Sequence, residues 1–341
     1  ASIVEGMIHI VAPGTVTITA SQTGNDNYHP APDVSRILEI EKDDQSITFN
    51  PLPEVKFGDP DFTPDAVSSS SLPLTFTSAN SDVAEIINGM IKIINAGSTV
   101  ITANQSGNEY YNPAPPAEQV LVVGKASQVI TFPDMPDVVY GDPDFDPVAT
   151  ASSGLPVTYS SSDSDIATIV GSMIKITGVG EVTITAYQSG NNNFLEAAPV
   201  SKTLRVGKAS QTIIFPELPH KVFGDPDSDP QAYASSGLDI TYSSSNPLVA
   251  VIINNLIHIT GAGVTTITAS QAGNQNYLAA ADVSVELTVE KANQSITFSP
   301  LNEVTFGDSD IYPEAFASSG LQVTFQSKNH DIAVVVDNRI V

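Results

Sequence analysis

Apolar and polar residues alternate along many short stretches of the chain, which is the pattern of a β-strand with one buried face. In residues 182–186, apolar side chains at Val182, Ile184 and Ala186 are separated by threonines. The same alternation occurs at Ile130 and Phe132, Val157 and Tyr159, Ile174 and Ile176, and Leu204 and Val206. No stretch keeps the 3.6-residue period of a helix. The chain is therefore predicted to be all-β.

Residue types that tolerate a positive φ angle separate many of these stretches. One pair lies between two short apolar runs in each copy of a repeated pattern: Asn88-Gly89, Gly171-Ser172, Asn254-Asn255 and Asp337-Asn338. Such pairs predict a tight type I′ hairpin. A second reversal is predicted at the Ser-Ser-Gly-Leu stretches, whose glycines are Gly154, Gly237 and Gly320. About seven short strands per copy, with frequent turns, are typical of an antiparallel β-sandwich.

The pattern repeats every 83 residues without an insertion or deletion. The string Q-x-I-[TI]-F begins at Gln45, Gln128, Gln211 and Gln294. The glycine of an F/Y-G-D turn is Gly58, Gly141, Gly224 and Gly307, and that of a Q-x-G-N segment is Gly24, Gly107, Gly190 and Gly273. More than half of the positions in 125–207 are identical to those in 208–290.

A lysine opens each copy, at Lys42, Lys125, Lys208 and Lys291. The predicted domains are complete repeats at 42–124, 125–207 and 208–290. They are preceded by the C-terminal part of a repeat at 1–41 and followed by the N-terminal part of another at 291–341. Half a unit cannot bury its own core, so we expect the chain to be a window from a longer array. No flexible linker separates the copies, which predicts a stiff rod whose repeats contact their neighbours.

Composition excludes several classes of protein. The 341 residues include no cysteine, so disulfides, thiolate metal sites and cysteine nucleophiles are absent. A net charge of −25 disfavours binding to nucleic acid or to an anionic membrane surface. No apolar run is long enough to span a bilayer, and residue 1 is not followed by a signal-peptide pattern.

Carboxylates in the F/Y-G-D turn are the candidate metal ligands. Alternate acidic residues in a loop can converge on Ca²⁺, which prefers six to eight oxygen ligands. The candidates for structural calcium are Asp59, Asp61, Asp142, Asp144, Asp146, Asp225, Asp227, Asp229, Asp308 and Asp310. The alternative is that aspartate beside proline builds the turn and stays hydrated.

Other polar groups have simpler interpretations. The Q-x-G-N-x-N-[YF] segment, as in Gln188–Phe194, could bind a sugar, but we expect its amides to satisfy loop backbone and its aromatic ring to pack beneath the loop. His9 and His258 share a position that is Lys92 and Lys175 in other copies, which does not fit a metal ligand. No serine–histidine–acid set recurs, so no catalytic residue is predicted. The opening lysines are expected to be exposed, which disfavours an isopeptide bond.

The motifs G-D-P from Gly141, S-S-G-L-P-V-T-Y-S-S-S, G-V-G-E-V-T-I-T-A and Q-S-G-N-N-N-F resemble the bacterial Ig-like repeats. The resemblance covers the whole chain. It implies a tandem array of Ig-like antiparallel β-sandwich domains in a giant secreted surface protein, particularly of the Bacteroidota. Family members include adhesins and surface filaments.

These observations predict a structural protein at the bacterial cell surface, in which the repeats form a stalk that projects a binding tip. Two alternatives stay open: repeats that bind glycans weakly and multivalently, and subunits of a multi-chain filament with lateral contacts. Besides structural calcium no cofactor is expected. The expected partners are neighbouring repeats, with further copies of the chain in the filament alternative, and the adhesion target is not encoded in this pattern.

Overall fold

The computed structural model describes residues 1–341, and its regular secondary structure consists of β-strands. It contains no helix long and apolar enough to cross a membrane. The chain divides into two compact units, Ala1–Asp137 with Pro143–Arg205 and Val138–Asp142 with Val206–Val341. This division falls within residues 125–207. The strands recur with the 83-residue period of the sequence.

The strands are numbered in chain order. Residues 1–41 contain β1 (Ser2–Val4), β2 (Met7–His9), β3 (Gly14–Gln22) and β4 (Ala31–Ile40). Residues 42–124 contain β5 (Ile47–Phe49), β6 (Val55–Lys56), β7 (Ala66–Ser68), β8 (Thr75–Ser78), β9 (Ala84–Ile87), β10 (Met90–Ile93), β11 (Gly97–Asn104) and β12 (Ala117–Gly124). Residues 125–207 contain β13 (Ile130–Thr131), β14 (Val138–Val139), β15 (Thr150–Ala151), β16 (Thr158–Ser161), β17 (Ala167–Val170), β18 (Met173–Ile176), β19 (Gly180–Tyr187) and β20 (Val200–Gly207).

The same order continues to the end of the chain. Residues 208–290 contain β21 (Ile213–Ile214), β22 (Lys221–Val222), β23 (Tyr233–Ala234), β24 (Thr241–Ser244), β25 (Ala250–Ile253), β26 (Leu256–Ile259), β27 (Gly263–Ser270) and β28 (Val283–Glu290). Residues 291–341 contain β29 (Ile296–Phe298), β30 (Ala315–Ala317), β31 (Val335–Val336) and β32 (Arg339–Ile340).

Each complete repeat has one four-stranded sheet and two strand pairs. The four-stranded sheets have the orders β6-β12-β11-β8, β14-β20-β19-β16 and β22-β28-β27-β24. In each repeat the first strand pairs with the third, and the fifth with the sixth. Three neighbouring strands of the large sheet correspond to the C-F-G order of an Ig sandwich. The predicted all-β fold of tandem Ig-like sandwiches is confirmed.

One strand pairing in each complete repeat is parallel, although the sequence predicts an antiparallel sandwich. Val55 and Lys56 in β6 pair in parallel with Val123 and Gly124 in β12. The entry strand is split at Asn50–Pro53, where prolines remove the N–H groups needed to continue a ladder. Its first half, β5, therefore pairs with β7, and its second half crosses to the edge of the other sheet.

The predicted alternation places the expected side chains in the interior. Ile101, Ala103 and Leu121 are fully buried in the core of 42–124. Ile267, Ala269 and Leu287 are buried at the matching places in 208–290.

The hairpin turns follow the predicted chemistry with one exception. Asn88 and Gly89 both have positive φ, at 51° and 80°, as a type I′ turn requires. At the same place in the next repeat, Gly171 has φ 65° and Ser172 does not have a positive φ. That turn therefore follows the type II′ pattern, in which only the first central residue has a positive φ.

Replacing Ile101 by alanine should lower the free energy of unfolding of its repeat by about 2–5 kcal/mol, because the deletion leaves a cavity in the core. The matched control is Val120→Ala on the exposed face of the partner strand β12, where we expect a change within about 0.5 kcal/mol. Hydrogen exchange of the β11 and β12 amides measures both. Equal effects of the two substitutions would contradict this assignment of the core.

Candidate functional site

The first aspartate of each F/Y-G-D turn closes the turn through its own side chain. Asp142 Oδ2 accepts a hydrogen bond from the Val139 N–H at 2.8 Å, while the Asp142 N–H donates to the Val139 carbonyl at 3.1 Å. Asp59, Asp225 and Asp308 accept in the same way from Lys56, Val222 and Thr305, at 2.7, 2.9 and 2.8 Å. Each carboxylate thus satisfies one main-chain N–H group, which in the complete repeats belongs to the last residue of the parallel edge strand.

The remaining acids of these turns have separate partners. The Oδ1 atoms of Asp146 and Asp229 accept the N–H groups of the residues two positions on, both at 2.8 Å. Asp227 Oδ1 lies within hydrogen-bond distance of His258 Nδ1, at 2.8 Å.

Asp310 pairs with Arg339 at 3.1 Å, and Asp61 and Asp144 lie exposed. No group of three or more His, Asp or Glu side chains is placed to hold a metal ion. Calcium at these turns stays a prediction.

A pair of glutamines, buried except for the half-buried Gln271, links the entry segment of each complete repeat to the loop before its last strand. Gln128 Nε2 donates to Gln188 Oε1 at 2.8 Å and to the Leu195 carbonyl at 2.7 Å. Ser153 Oγ donates to Gln128 Oε1, and Gly190 N–H donates to Gln188 Oε1. The same network connects Gln45 with Gln105 and Ser70, and Gln211 with Gln271 and Ser236. Every amide of the pair is satisfied without a ligand.

The loop itself, residues 188–194, is closed by a second amide. Asn191 Oδ1 accepts the N–H groups of Asn193 and Phe194 at 2.8 and 2.9 Å. Gly190 has φ 74°, and a Cβ there would lie 2.4 Å from the Phe194 carbonyl oxygen, so only glycine fits. The interpretation that these amides satisfy the loop backbone agrees with this geometry.

The aromatic residue that ends the loop packs across the joint between two repeats. The Phe194 ring meets Phe57 of the preceding repeat edge-on, with the ring centroids 5.4 Å apart. The prediction that this ring packs beneath its own loop is wrong, because its ring partner lies in the preceding repeat. The same contact joins Tyr140 and Tyr277, at 5.6 Å. At both joints the aromatic residue of the F/Y-G-D turn therefore packs against the loop aromatic residue of the following repeat.

Asn193 adds hydrogen bonds to this joint. Its Oδ1 accepts the Ala96 N–H at 2.9 Å, and its Nδ2 donates to Asn95 Oδ1 at 2.8 Å. Residues 95 and 96 lie in the turn between β10 and β11 of the preceding repeat. The contacts between repeats 42–124 and 125–207 thus include one aromatic pair and two hydrogen bonds of the Asn193 side-chain amide.

The lysine that opens each repeat holds the loop from its other side. Lys42, Lys125 and Lys208 donate from Nζ to the carbonyl oxygens of Asn108, Asn191 and Asn274, at 2.7, 2.7 and 2.6 Å. The side chains are exposed, as expected.

Sequence reasoning missed two groups of polar contacts. The Tyr159 hydroxyl accepts the Ala149 N–H at 3.0 Å, and burial raises the pKa of this tyrosine. Tyr242 binds Ala232 in the same way. The serines that bind the glutamine pair were counted only as turn residues, although their recurrence with the glutamines was a usable signal.

No protein-family model matches the sequence, and no curated protein matches it. Among solved structures, similar chains include Drosophila N-cadherin EC1-4, which is 14% identical with a TM-score of 0.25 over 82% of this chain and 84% of that one. Sidekick-1 immunoglobulin domains 1-5 give 13% identity and a TM-score of 0.24, over 90% and 76%. Surface layer protein SbsC, domains 1-6, gives 14% and 0.25, over 97% and 53%. These similarities to rows of cadherin, immunoglobulin and surface-layer domains assign neither a family nor a ligand.

Asp142→Ala should lower the stability of its repeat by about 1 kcal/mol, because the Val139 N–H loses its acceptor. Asp142→Asn keeps an acceptor oxygen without the charge, so it should retain most of the stability. Urea unfolding, in EDTA and in calcium, measures both variants. An equal loss of stability in both variants, seen only when calcium is present, would contradict this prediction. The turn would then be a calcium site.

Proposed function

We propose that the chain is a stalk segment of a large extracellular bacterial surface protein, an adhesin or surface filament, and that its repeats carry tension to a binding tip. The proposed domains are the complete repeats 42–124, 125–207 and 208–290, with parts of further repeats at 1–41 and 291–341. The bacterial origin rests on the resemblance of the sequence motifs.

The parallel pairing of the entry and exit strands supports this proposal most directly. In each complete repeat the second part of the entry strand pairs in parallel with the last strand: β6 with β12, β14 with β20, and β22 with β28. Two parallel strands that are pulled from opposite ends of the chain slide along each other, so their hydrogen bonds are loaded together rather than one after another. The N–H groups of Phe57, Tyr140 and Phe223 extend each pairing by one bond of 2.9 Å.

The first residues of each repeat are tied down before the strand begins. Asp43 forms a parallel bridge with Tyr111 through two main-chain bonds, from Asp43 N–H to the Tyr110 carbonyl at 3.0 Å and from Asn112 N–H to the Asp43 carbonyl at 2.8 Å. The buried Gln45 adds its bonds to Gln105 and Asn112 a few residues on. A pulling force applied at the N-terminal end of the repeat acts on these hydrogen bonds first. The core therefore stays unloaded until these bonds break.

The loop amides argue against the glycan-binding alternative. Gln188 is buried and bonded, and the Asn191 side chain accepts from its own loop. The polar groups that a lectin would offer to a sugar are already used by the fold. A net charge of −25 suits a stalk instead, since neighbouring rods of one sign repel and stay soluble.

Stretching the whole chain by its two ends in a single-molecule experiment tests the proposal. We expect three unfolding events, each releasing about 250 Å, since 83 residues extend to about 3.5 Å each and a folded repeat is about 40 Å long. Phe57→Pro removes the N–H that binds Gly124, and it should move one of the three events to clearly lower force.

The matched control is Phe57→Ala, which removes the same ring but keeps the N–H group. It should leave the unfolding force of that repeat close to the wild-type value. If both variants unfold at the wild-type force, the parallel pairing does not bear the load and the tension-bearing role is wrong.

A further inference from the structure

One complete repeat carries an apolar cluster on the outer face of its large sheet. Alternate residues of β11 and β12 in 42–124 point away from the core, and three of these are valines: Val100, Val120 and Val122. Val100 and Val120 are paired directly across the two strands, and Val120 and Val122 are each 60% exposed. The three side chains form one surface, the valine row.

The other two complete repeats are polar at all three positions. The counterparts are Thr183, Thr203 and Arg205 in 125–207, and Thr266, Glu286 and Thr288 in 208–290. In 125–207 the arginine also pairs across the sheet, with Arg205 Nε and Glu181 Oε1 2.8 Å apart. Polar side chains are usual where a sheet faces water, so valine at all three positions marks a surface that meets another molecule.

A groove of about 680 Å³ lies beside the valine row, along the edge strand β6. Its walls also include Leu52, Pro53 and Val55, so the apolar surface continues past the edge of the sheet. Val122 lies two residues before the end of β12, where the complete repeat 125–207 follows, and it is nevertheless exposed. The exposure is therefore a property of the folded repeat.

Opposite charges lie at the two ends of the valine row. Glu118 is exposed on the same face of β12, before Val120. At the other end Gly124 pairs with Lys56, and a Cβ on Gly124 would lie 3.5 Å from Lys56 Cγ. The lysine side chain therefore lies over the end of β12. Positions 118 and 124 are about 20 Å apart along the strand.

This order of charges makes the face complementary to itself in one orientation. Two copies packed face to face by a two-fold axis across β12 at Leu121 have antiparallel strands, and Val120 of each copy lies opposite Val122 of the other. Glu118 of each copy then meets Lys56 of the other. An axis along the strand would instead place glutamate on glutamate and lysine on lysine, which costs energy.

We propose that the valine row binds the valine row of a second copy of the chain, with the two chains antiparallel and the Glu118–Lys56 pairs at both ends of the contact. Antiparallel chains reach each other from opposite directions, so this contact joins stalks that project from two facing surfaces. The joining of surfaces rests on the proposed stalk function, whereas the pairing of two chains does not.

The contact is small, and the charge of the chain opposes it. Three valines and one ion pair at each end cover far less than the roughly 800 Å² per partner of a stable complex. Each copy also carries a net charge of −25. We therefore expect a dissociation constant of about 1 mM and a single chain in dilute solution. Two surfaces that each carry many stalks would strengthen the contact through avidity.

Paramagnetic broadening between two copies of the full chain tests the proposal. The chain has no cysteine, so Thr77→Cys provides one site for a spin label. Thr77 is exposed in β8, and through Thr102 it lies in line with Glu118. Spin-labelled chain without isotope is mixed with ¹⁵N-labelled wild-type chain at about 1 mM in total, near the expected dissociation constant.

The antiparallel contact predicts broadening at the opposite end of the valine row in the ¹⁵N-labelled copy, at the amides of residues 97–98 and 122–124. Broadening of residues 102 and 117–118 instead would mean parallel pairing and would overturn the proposal. A wild-type chain without any broadening between copies also overturns it.

Charge reversal in both copies tests the two ion pairs. Glu118→Lys alone and Lys56→Glu alone each bring like charges together, so each should abolish the broadening. The first of these lowers the net repulsion between chains, so its loss of contact cannot come from total charge. The double variant should restore the broadening, because opposite charges meet again. A double variant that fails to restore it contradicts the two-fold arrangement.

Val120→Thr with Val122→Arg gives the valine row two side chains of the repeat 125–207 and should also abolish the broadening. The matched control is Val67→Thr, which changes a valine that is 62% exposed in β7 and should behave like the wild type. Unchanged amide shifts of Ile101 and Leu121 show that each variant is folded. Broadening that survives the double valine variant overturns the proposal, while the stretching experiment tests the stalk independently.

Discussion

The buried glutamine pair fixes how each complete repeat is closed. Gln128 and Gln188 come from opposite ends of one repeat, and both side chains are shielded from water. A buried amide that loses its partner costs about 1–3 kcal/mol, so the entry segment and the loop must form together. The pair also uses Ser153 and Gly190, which fixes the conformations of two turns at once. We therefore expect this network to be the most sensitive polar feature of the repeat.

The loop that the glutamines hold serves two repeats. Inside its own repeat it is closed by Gly190 and Asn191, and it binds the opening lysine. Outside it presents Phe194 and Asn193 to the preceding repeat. One aromatic pair and a few hydrogen bonds form a much smaller contact than a sandwich core, so the joint is the softer element of the two. Its geometry depends on the loop, and through the loop on the buried amides.

The sequence was sufficient for the repeat, the strands and most turns because each depends on local chemistry. Alternation around Ile184 and the pair Asn88-Gly89 determine a strand and a turn within a few residues. The parallel edge strand could not be read from local pattern, because it depends on which sheet Val55 reaches after the prolines. Phe194 was misplaced for a related reason, since its partner Phe57 lies in another repeat. The hydrogen bond between Asp227 and His258 depends on one substitution at a position that is lysine in two other copies.

The proposed stalk requires that consecutive repeats form an extended, stiff rod. Small-angle X-ray scattering with in-line molar mass, on residues 42–290 at physiological salt with calcium present, tests this claim most directly. Three repeats of about 40 Å each predict an elongated monomer about 120 Å long. A compact profile with the mass of one chain would contradict the stalk. A multiple of that mass would show lateral contacts between the repeats and would make the protein a filament subunit instead.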